Sequence, residues 1–358
     1  MNSPVEPSSI LKPARKRGSL RSRVGTLLFD RPRFAWVLQF PRLARWLGSS
    51  WIDFHNRRER LLYAPDARGV VCDWQWSSDL TVGQVLPGIA NRLLTAALAE
   101  WPIKPADQLP PQPEQGPLVS FIIGHRGLDR LPHLLATLRS ILGQSGVRLE
   151  CIVVEQASQS VLGGRLPAGV RHIHLQPPTA DLPYSRSWTF NVGARAASGD
   201  VLVFHDNDLL VPADYGKQIV RILAGGYQVA RLHRFVFYLT AADTADYFAN
   251  ARLSGSAQPE LCRQNCEGGT LAIERKTYFE LGGHDEAFVG WGSEDNELFG
   301  RLRTVRLYDH AYLPFVHLHH GPQPGKHSAN ANTPYFEARM QIPALQRIAE
   351  LSRRNFGS

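Results

Sequence analysis

The sequence predicts an α/β fold, a mostly parallel central sheet flanked by helices, on three observations. Apolar runs at residues 118–123, 151–154 and 201–204 are short and continuous, as in strands buried on both faces. Between the first two, Leu134, Leu135, Leu138, Ile141 and Leu142 recur at helical spacing. Strand, loop, helix and strand within about forty residues make a βαβ unit with a right-handed crossover. The third run ends in His205-Asp206-Asn207-Asp208, and the carboxyl ends of the strands are where an open α/β sheet binds its ligands.

Composition agrees with a folded chain. Of 358 residues, 43% are hydrophobic and 20% charged, enough for a sizeable core in one large domain or two ordinary ones. The net charge of +8 is uneven: residues 1–60 hold 13 Lys and Arg against 4 Asp and Glu, so the remainder is close to neutral. Cys72, Cys151, Cys262 and Cys266 form no even framework, and the lone C-x3-C lacks the partner pair of structural zinc, which reads as reduced thiols. No apolar run reaches the roughly 18–20 residues of a spanning helix, and no compact apolar leader opens the sequence. The expected location is the cytoplasm, with peripheral attachment at the inner face of the membrane as a further expectation.

The elements follow in order. Residues 1–66 read as a basic, aromatic-rich extension, with Lys12, Arg15, Lys16, Arg17, Arg21 and Arg23 in a Ser- and Pro-rich stretch. Residues 31–51 then interleave Arg33, Arg42 and Arg45 with Phe34, Trp36, Phe40, Leu43 and Trp46. That mixture, within residues 1–60, suits the face of an anionic bilayer; it equally suits a segment that packs its aromatics on the main domain. Pro32 and Pro41 prevent one continuous helix. Nucleic acid is not an expected partner, because no helix-turn-helix, finger or stacking module accompanies the charge. Residues 67–117 read as a small satellite and linker. Val70, Cys72, Trp74 and Trp76 alternate as a half-buried strand, residues 85–101 carry a helical pattern, and six prolines between Pro102 and Pro117 follow. The main domain occupies residues 118–330, and a helix over residues 334–354 closes the chain, within a final segment 331–358.

Asp206 and Asp208, one residue apart at a strand end, suit a hard divalent cation that also grips a diphosphate. Asp-Asn-Asp is also ordinary turn composition, so the reading depends on its company. Residues 281–299 form a Gly-rich turn presenting Trp291, followed by Glu294 and Asp295 at the start of a helix, where acids also favour the helix dipole. Alternation puts His317 and His319 on one side of a strand ending. Imidazole is a good third ligand beside carboxylate oxygen, and a solvent-facing histidine cluster is the plainer alternative.

In this order the segments resemble known glycosyltransferases. Residues 119–158 look like the opening of family 2 enzymes of the GT-A fold, which implies that Arg126 and Glu155 contact the nucleotide; family 2 often has Asp at the latter place. Residues 184–193 are similar to the segment in which an Arg and an Asn-x-Gly lie between base and sugar, which implies that role for Arg186 and Asn191. Asp206-Asn207-Asp208 resembles the D-x-D motif, so the resemblance places these three at the donor, with Asp206 and Asp208 on the metal. The W-G-x-E-D string of residues 291–295 resembles family 7 β1,4-galactosyltransferases and bacterial chondroitin polymerases. It implies Asp295 as general base, Glu294 supporting the acceptor and Trp291 packing on the sugars. The H-x-x-P-x-x-G-K begun by His319 resembles the polymerase pattern, implying His319 as metal ligand with His317 in reserve, and Lys326 on a loop that closes over the diphosphate.

The resemblance as a whole implies inverting transfer of a hexose or N-acetylhexosamine from a UDP-sugar. The reaction would depend on Mn2+ or Mg2+, and the acceptor would be a hydroxyl of a saccharide or lipid-linked saccharide in surface polysaccharide or glycolipid synthesis. Two other classes stay open: a nucleotidyltransferase on a similar sheet, for which no G-x-x-x-x-G-K-[ST] is present, and a non-catalytic membrane-associated scaffold.

Overall fold

The structure, a computed structural model, describes residues 20–66, 68–73, 77–290, 292–321 and 332–358. Its centre is a seven-stranded sheet in the order Leu307–Tyr308, Val229–Ala230, Thr270–Glu274, Val201–His205, Leu118–His125, Arg148–Gln156, Val170–Leu175. The last four run parallel, and Thr270–Glu274 lies antiparallel to Val201–His205. This is the α/β architecture with a mostly parallel core that the apolar runs predict. Strand alternation explains why those runs are continuous. Val119, Phe121, Ile123, Val153 and Val203 pack with Leu134, Leu138 and Ile141 of the helix Leu131–Leu142, while Ile122, Ile152, Val154, Leu202 and Phe204 pack with Phe190 and Ala194 of the helix Arg186–Ala196.

A second, five-stranded sheet runs Ser78–Asp79, Leu261–Gln264, His233–Tyr238, Leu313–His317, Leu209–Leu210. It borrows Ser78–Asp79 from the satellite, whose strand Val70–Cys72 pairs with Leu61–Tyr63. Trp74 and Trp76 lie outside the described residues, and the helical pattern resolves into Thr81–Val85 and Pro87–Glu100.

At the N-terminal side the chain forms Leu20–Gly25, a π-helical turn Thr26–Asp30, Arg31–Gln39 and Pro41–Trp46. Pro41 sits in a first turn, where the missing N–H has no helical partner to lose, whereas helical backbone runs through Pro32 by way of the π-helical turn before it, contrary to the expected break there. Phe34, Val37, Ala44, Trp51 and Phe54 are buried in one cluster with Leu93 and Leu94 of Pro87–Glu100 and with Leu210, Phe235, Val316 and Leu318. The buried Arg234 fastens this layer to the second sheet: its guanidinium donates to the carbonyls of Ile52 (2.7 Å) and Phe54 (2.5 Å) and to Gln264 (2.5 Å). The basic cluster from Lys12 to Arg17 lies outside the described residues. The single closing helix expected from the sequence is instead two, Asn332–Met340 and Ala344–Leu351, parted at Pro343, which cannot continue the hydrogen-bond ladder.

Candidate active site

The site gathers at the carboxyl edge of the parallel strands. Ile123 stands opposite His205 and His125 opposite Glu155, so residues 126, 155 and 206 leave the sheet at one edge. The antiparallel strand beginning at Thr270 brings Gly268 and Gly269 to the same edge, where Asp206 N–H donates to the Gly269 carbonyl at 2.9 Å. Beyond Asp208 the chain turns into Leu209–Leu210, which pairs with Leu313–His317 so that His317 faces Leu209, and Leu318 N–H donates to the Asp208 carbonyl at 2.9 Å. The fold thereby sets a late histidine beside an early aspartate.

Asp208, His317 and His320 offer ligand atoms all within 4.8 Å of one another. His317 Nε2 lies 3.6 Å from Asp208 Oδ1 and His320 Nε2 lies 3.4 Å from Oδ2. Arg130 Nη1 donates to Oδ2 at 3.0 Å, while its buried Nη2 has no hydrogen-bond partner among the described residues. Burial works to raise the Asp208 carboxyl, but His317, His320 and Arg130 together hold it below the usual carboxylate range. One carboxylate and two imidazoles converging on a point form a donor set that fits Mn2+, with Mg2+ a poorer match because it favours oxygen.

The other aspartate of the motif faces a different cation. Arg186, on the first turn of its helix, donates through Nε to Asp206 Oδ1 at 2.9 Å and through Nη1 to Asp295 Oδ1 at 2.5 Å, with Glu294 Oε1 at 3.4 Å. Its plane lies over Phe190, 4.5 Å from the ring centre. Burial alone would lower the Arg186 pKa, yet Asp206, Asp295 and Glu294 keep it well above the ordinary value. Burial pushes Glu294 up to about 7, with repulsion from Asp295 adding and Arg186 opposing, and Glu294 Oε2 is buried without a partner among the described residues. Asp206, also raised by burial, sits at about 6. Gly268 leaves room for Asp295: a Cβ there would stand 2.2 Å from Asp295 Oδ2. Asp295 is thus oriented by a guanidinium on one side and a bare backbone on the other.

The remaining expected residues divide. Arg126 is exposed at the same edge and donates to the Leu182 carbonyl at 3.0 Å. Asn207 donates to His125 Nδ1 at 2.9 Å, and His125 Nε2 lies 2.7 Å from the Gly127 carbonyl; a neutral ring protonated on Nε2 satisfies both, and burial lowers this histidine. Asn207 therefore ties the motif to the first loop. Glu155 is fully buried, with Ser160 Oγ, Val161 N–H and His172 Nε2 at 2.8, 2.8 and 2.9 Å. Burial would raise this carboxyl, and those hydrogen bonds overcome it. A carboxylate so placed orders the loop at residues 156–162.

Asn191 is likewise held by the protein's own groups. It is buried, donates to the His284 carbonyl (2.9 Å) and Glu286 (2.8 Å), and accepts from Tyr278 (2.5 Å) and His284 N–H (3.0 Å). It latches its helix to the turn at residues 283–286. His319 is outside the cation group: its N–H donates to Thr244 Oγ1 and its carbonyl lies 2.8 Å from His133 Nε2, and the neighbouring positions 317 and 320 supply the imidazoles. Trp291 and Lys326 lie outside the described residues. The turn flanking Trp291 is held at both ends. Gly290 N–H donates to the Tyr184 carbonyl, Asn332 donates to the Gly292 carbonyl, and Gly290, Gly292 and Ser293 all have positive φ.

Arg130, His320 and Gly268 were not singled out by sequence reasoning. Arg130 had one available signal, a lone basic residue in the first loop just before a helix.

A family model described as the N-terminal domain of galactosyltransferase matches residues 254–320, the stretch that carries Gly268, Glu294, Asp295, His317 and His320. That stretch is therefore similar to a galactosyltransferase domain. No curated protein matches. Among solved structures, a mannosyltransferase from Pyrobaculum calidifontis in complex with GDP-Man and Mn2+ is 18% identical over 75% of this chain and 73% of its own, with a TM-score of 0.41. The catalytic domain of Drosophila beta1,4galactosyltransferase 7 in complex with xylobiose is 17% identical over 67% and 81%, with a TM-score of 0.36. GalNAc-T7 with UDP, GalNAc and Mn2+ is 15% identical over 66% and 50%, with a TM-score of 0.44. The chain thus spans half the length of the last.

Proposed function

We propose that this chain is an inverting glycosyltransferase that uses a UDP-sugar and a divalent cation to glycosylate a hydroxyl of a saccharide or lipid-linked saccharide. We place that work in surface polysaccharide or glycolipid synthesis at the inner face of a membrane. One observation carries the reading: the Asp206-Asn207-Asp208 turn joins two groups of opposite use. Asp208 belongs to a carboxylate–imidazole set, and Asp206 shares one arginine with the acids of the galactosyltransferase-type segment.

Asp208, His317 and His320 would hold Mn2+, with Mg2+ the weaker fit. When bound, that ion supplies Lewis-acid neutralisation of the charge that builds on the departing diphosphate. Arg130 adds a fixed positive charge at the same carboxylate, suited to phosphate oxygens through its unpartnered Nη2. On the other side, Asp295 accepts the proton of the acceptor hydroxyl as that oxygen attacks the anomeric carbon from the face opposite the diphosphate. Arg186 would fix the carboxylate in the orientation of a general base, and Glu294, part-protonated near neutrality beside it, would support the acceptor. Leaving-group support and base thus come from different parts of the chain and flank one reacting centre.

The test is a thermal-shift screen of common UDP-sugars with Mn2+, followed by transfer or hydrolysis with the best donor. A preferred donor should raise the melting temperature by mass action and only with the cation present. Silence across UDP-sugars in both assays contradicts the reading and favours a non-catalytic scaffold.

A further inference from the structure

Nine of the fourteen large apolar side chains that stand exposed among the described residues fall within residues 20–47. An outward helical face is ordinarily polar. Here Leu20, Val24, Leu27 and Leu28 repeat at helical spacing, Phe29 follows, and Leu43 and Trp46 lie three apart on the helix Pro41–Trp46, flanked by the exposed Phe40 and Leu47. Trp46 is 80% exposed, Leu28 64% and Phe29 63%. The same helices bury Phe34, Val37 and Ala44 inward, so the segment is apolar on two sides, one satisfied by the protein and one not.

Charge identifies the occupant. Residues 20–47 carry six arginines and a single acid, Asp30, which is buried and paired with Arg57 at 3.4 Å. The outward surface therefore mixes rings and aliphatic chains with guanidinium groups; residues 20–47 themselves add no exposed carboxylate, and the neighbouring Glu100 is taken up by Arg45 at 2.9 Å. A second copy would set this positive surface against itself. Residues 1–19, with four basic residues against one acid, would also be repelled. An anionic lipid surface satisfies both halves: apolar side chains enter the headgroup zone and guanidinium groups meet phosphates. No helix among the described residues is long and apolar enough to cross a membrane, so the contact lies on the bilayer.

We propose that residues 20–47 form a docking surface for an anionic bilayer, inserting Leu28, Phe29 and Trp46 and pairing exposed arginines such as Arg31 and Arg42 with lipid phosphates. The surface is independent of glycosyl transfer and is tested without donor. Its inward side shares one apolar cluster with Leu210, Val316 and Leu318, each within two residues of Asp208 or His317, and Arg234 bolts Ile52 and Phe54 to the same sheet. A docked protein therefore holds the cation site at a fixed height over the membrane, which suits a lipid-borne acceptor.

The experiment is co-sedimentation of the full chain with vesicles of phosphatidylcholine alone or with about 30% phosphatidylglycerol, a typical anionic fraction. The wild-type protein should pellet with the anionic vesicles and stay in solution with the neutral ones. The triple variant Leu28→Ser, Phe29→Ser, Trp46→Ser should lose roughly tenfold or more in partitioning while keeping its melting temperature, because all three side chains are already in water. Wild-type protein left in the supernatant overturns the proposal. So does a triple variant that pellets like wild type, which would assign attachment to the charge of residues 1–19 alone. A triple variant that shifts from dimer to monomer on gel filtration, with unchanged pelleting, would reassign the face to a copy–copy contact.

Discussion

Replacing Arg186 by methionine removes the one cation shared by Asp206, Glu294 and Asp295 while keeping an unbranched apolar stem. The guanidinium is 14% exposed and lies 2.8, 3.4 and 2.5 Å from the three carboxylates. Breaking a buried ion pair by removing one partner costs about 3–5 kcal/mol. Because Asp206 and Asp295 are 36% and 28% exposed and regain water, the lower end applies. At about 2.1 cal/mol/K per residue, 358 residues give an unfolding entropy of about 0.75 kcal/mol/K, so the melting temperature should fall by about 4 °C near pH 8. The loss should also depend on pH. Glu294 is raised to about 7 in the folded protein, so the native state keeps a proton that the unfolded chain releases above its ordinary pKa, and stability falls as pH rises through that interval. Without Arg186 the folded pKa rises further and the interval extends upward. Scanning fluorimetry at pH 5.5 and 8 should therefore show a larger deficit at pH 8. An equal deficit at both values, or none at pH 8, would refute the assignment of Arg186 as the shared counter-charge.

The other expectations are sharper in location than in size. His317→Ala and His320→Ala should each weaken Mn2+ binding by about tenfold or more, read by the free-ion EPR signal, whereas His319→Ala should leave it within about twofold. Gly268→Ala places a methyl 2.2 Å from Asp295 Oδ2, so turnover should drop by about a hundredfold with UDP affinity retained in calorimetry. Asn191→Ala takes the side-chain donor from the buried His284 carbonyl and one partner each from Glu286, the Tyr278 hydroxyl and the His284 N–H. It should cost about 2–4 kcal/mol in denaturant titration without weakening UDP, which a direct donor contact would not allow.

Much of the fold was legible because burial on both sheet faces leaves an uninterrupted apolar run, as at residues 118–123 and 201–204, and helical spacing marks Leu131–Leu142. The placement of Asp206 and Asp208 past a strand end and of Glu294 and Asp295 at a helix start was legible for a related reason, since both are local features. Glu155 and Asn191 complete loop and turn hydrogen bonds that spacing does not reveal, because buried polar groups of this kind look, in sequence, like groups awaiting a ligand. The choice between histidines failed on periodicity. The strand Leu313–His317 ends at His317, so the two-residue alternation that paired His317 with His319 no longer holds, and the chain beyond turns His320 toward Asp208. Arg186 was read as a donor contact, and its shared pairing with residues 206, 294 and 295 depends on tertiary proximity that no spacing encodes. The closing helix broke at Pro343, a signal present in the sequence and passed over.

The most direct measurement is turnover and UDP affinity of Asp295→Asn with the preferred donor and Mn2+. Loss of the base should lower kcat by about 10²–10⁴ while the UDP dissociation constant moves by no more than about threefold, since the cation set at Asp208, His317 and His320 is untouched. Surviving turnover with lost UDP affinity would contradict the account, because Asp295 would then belong to donor binding and the chemistry would lie elsewhere.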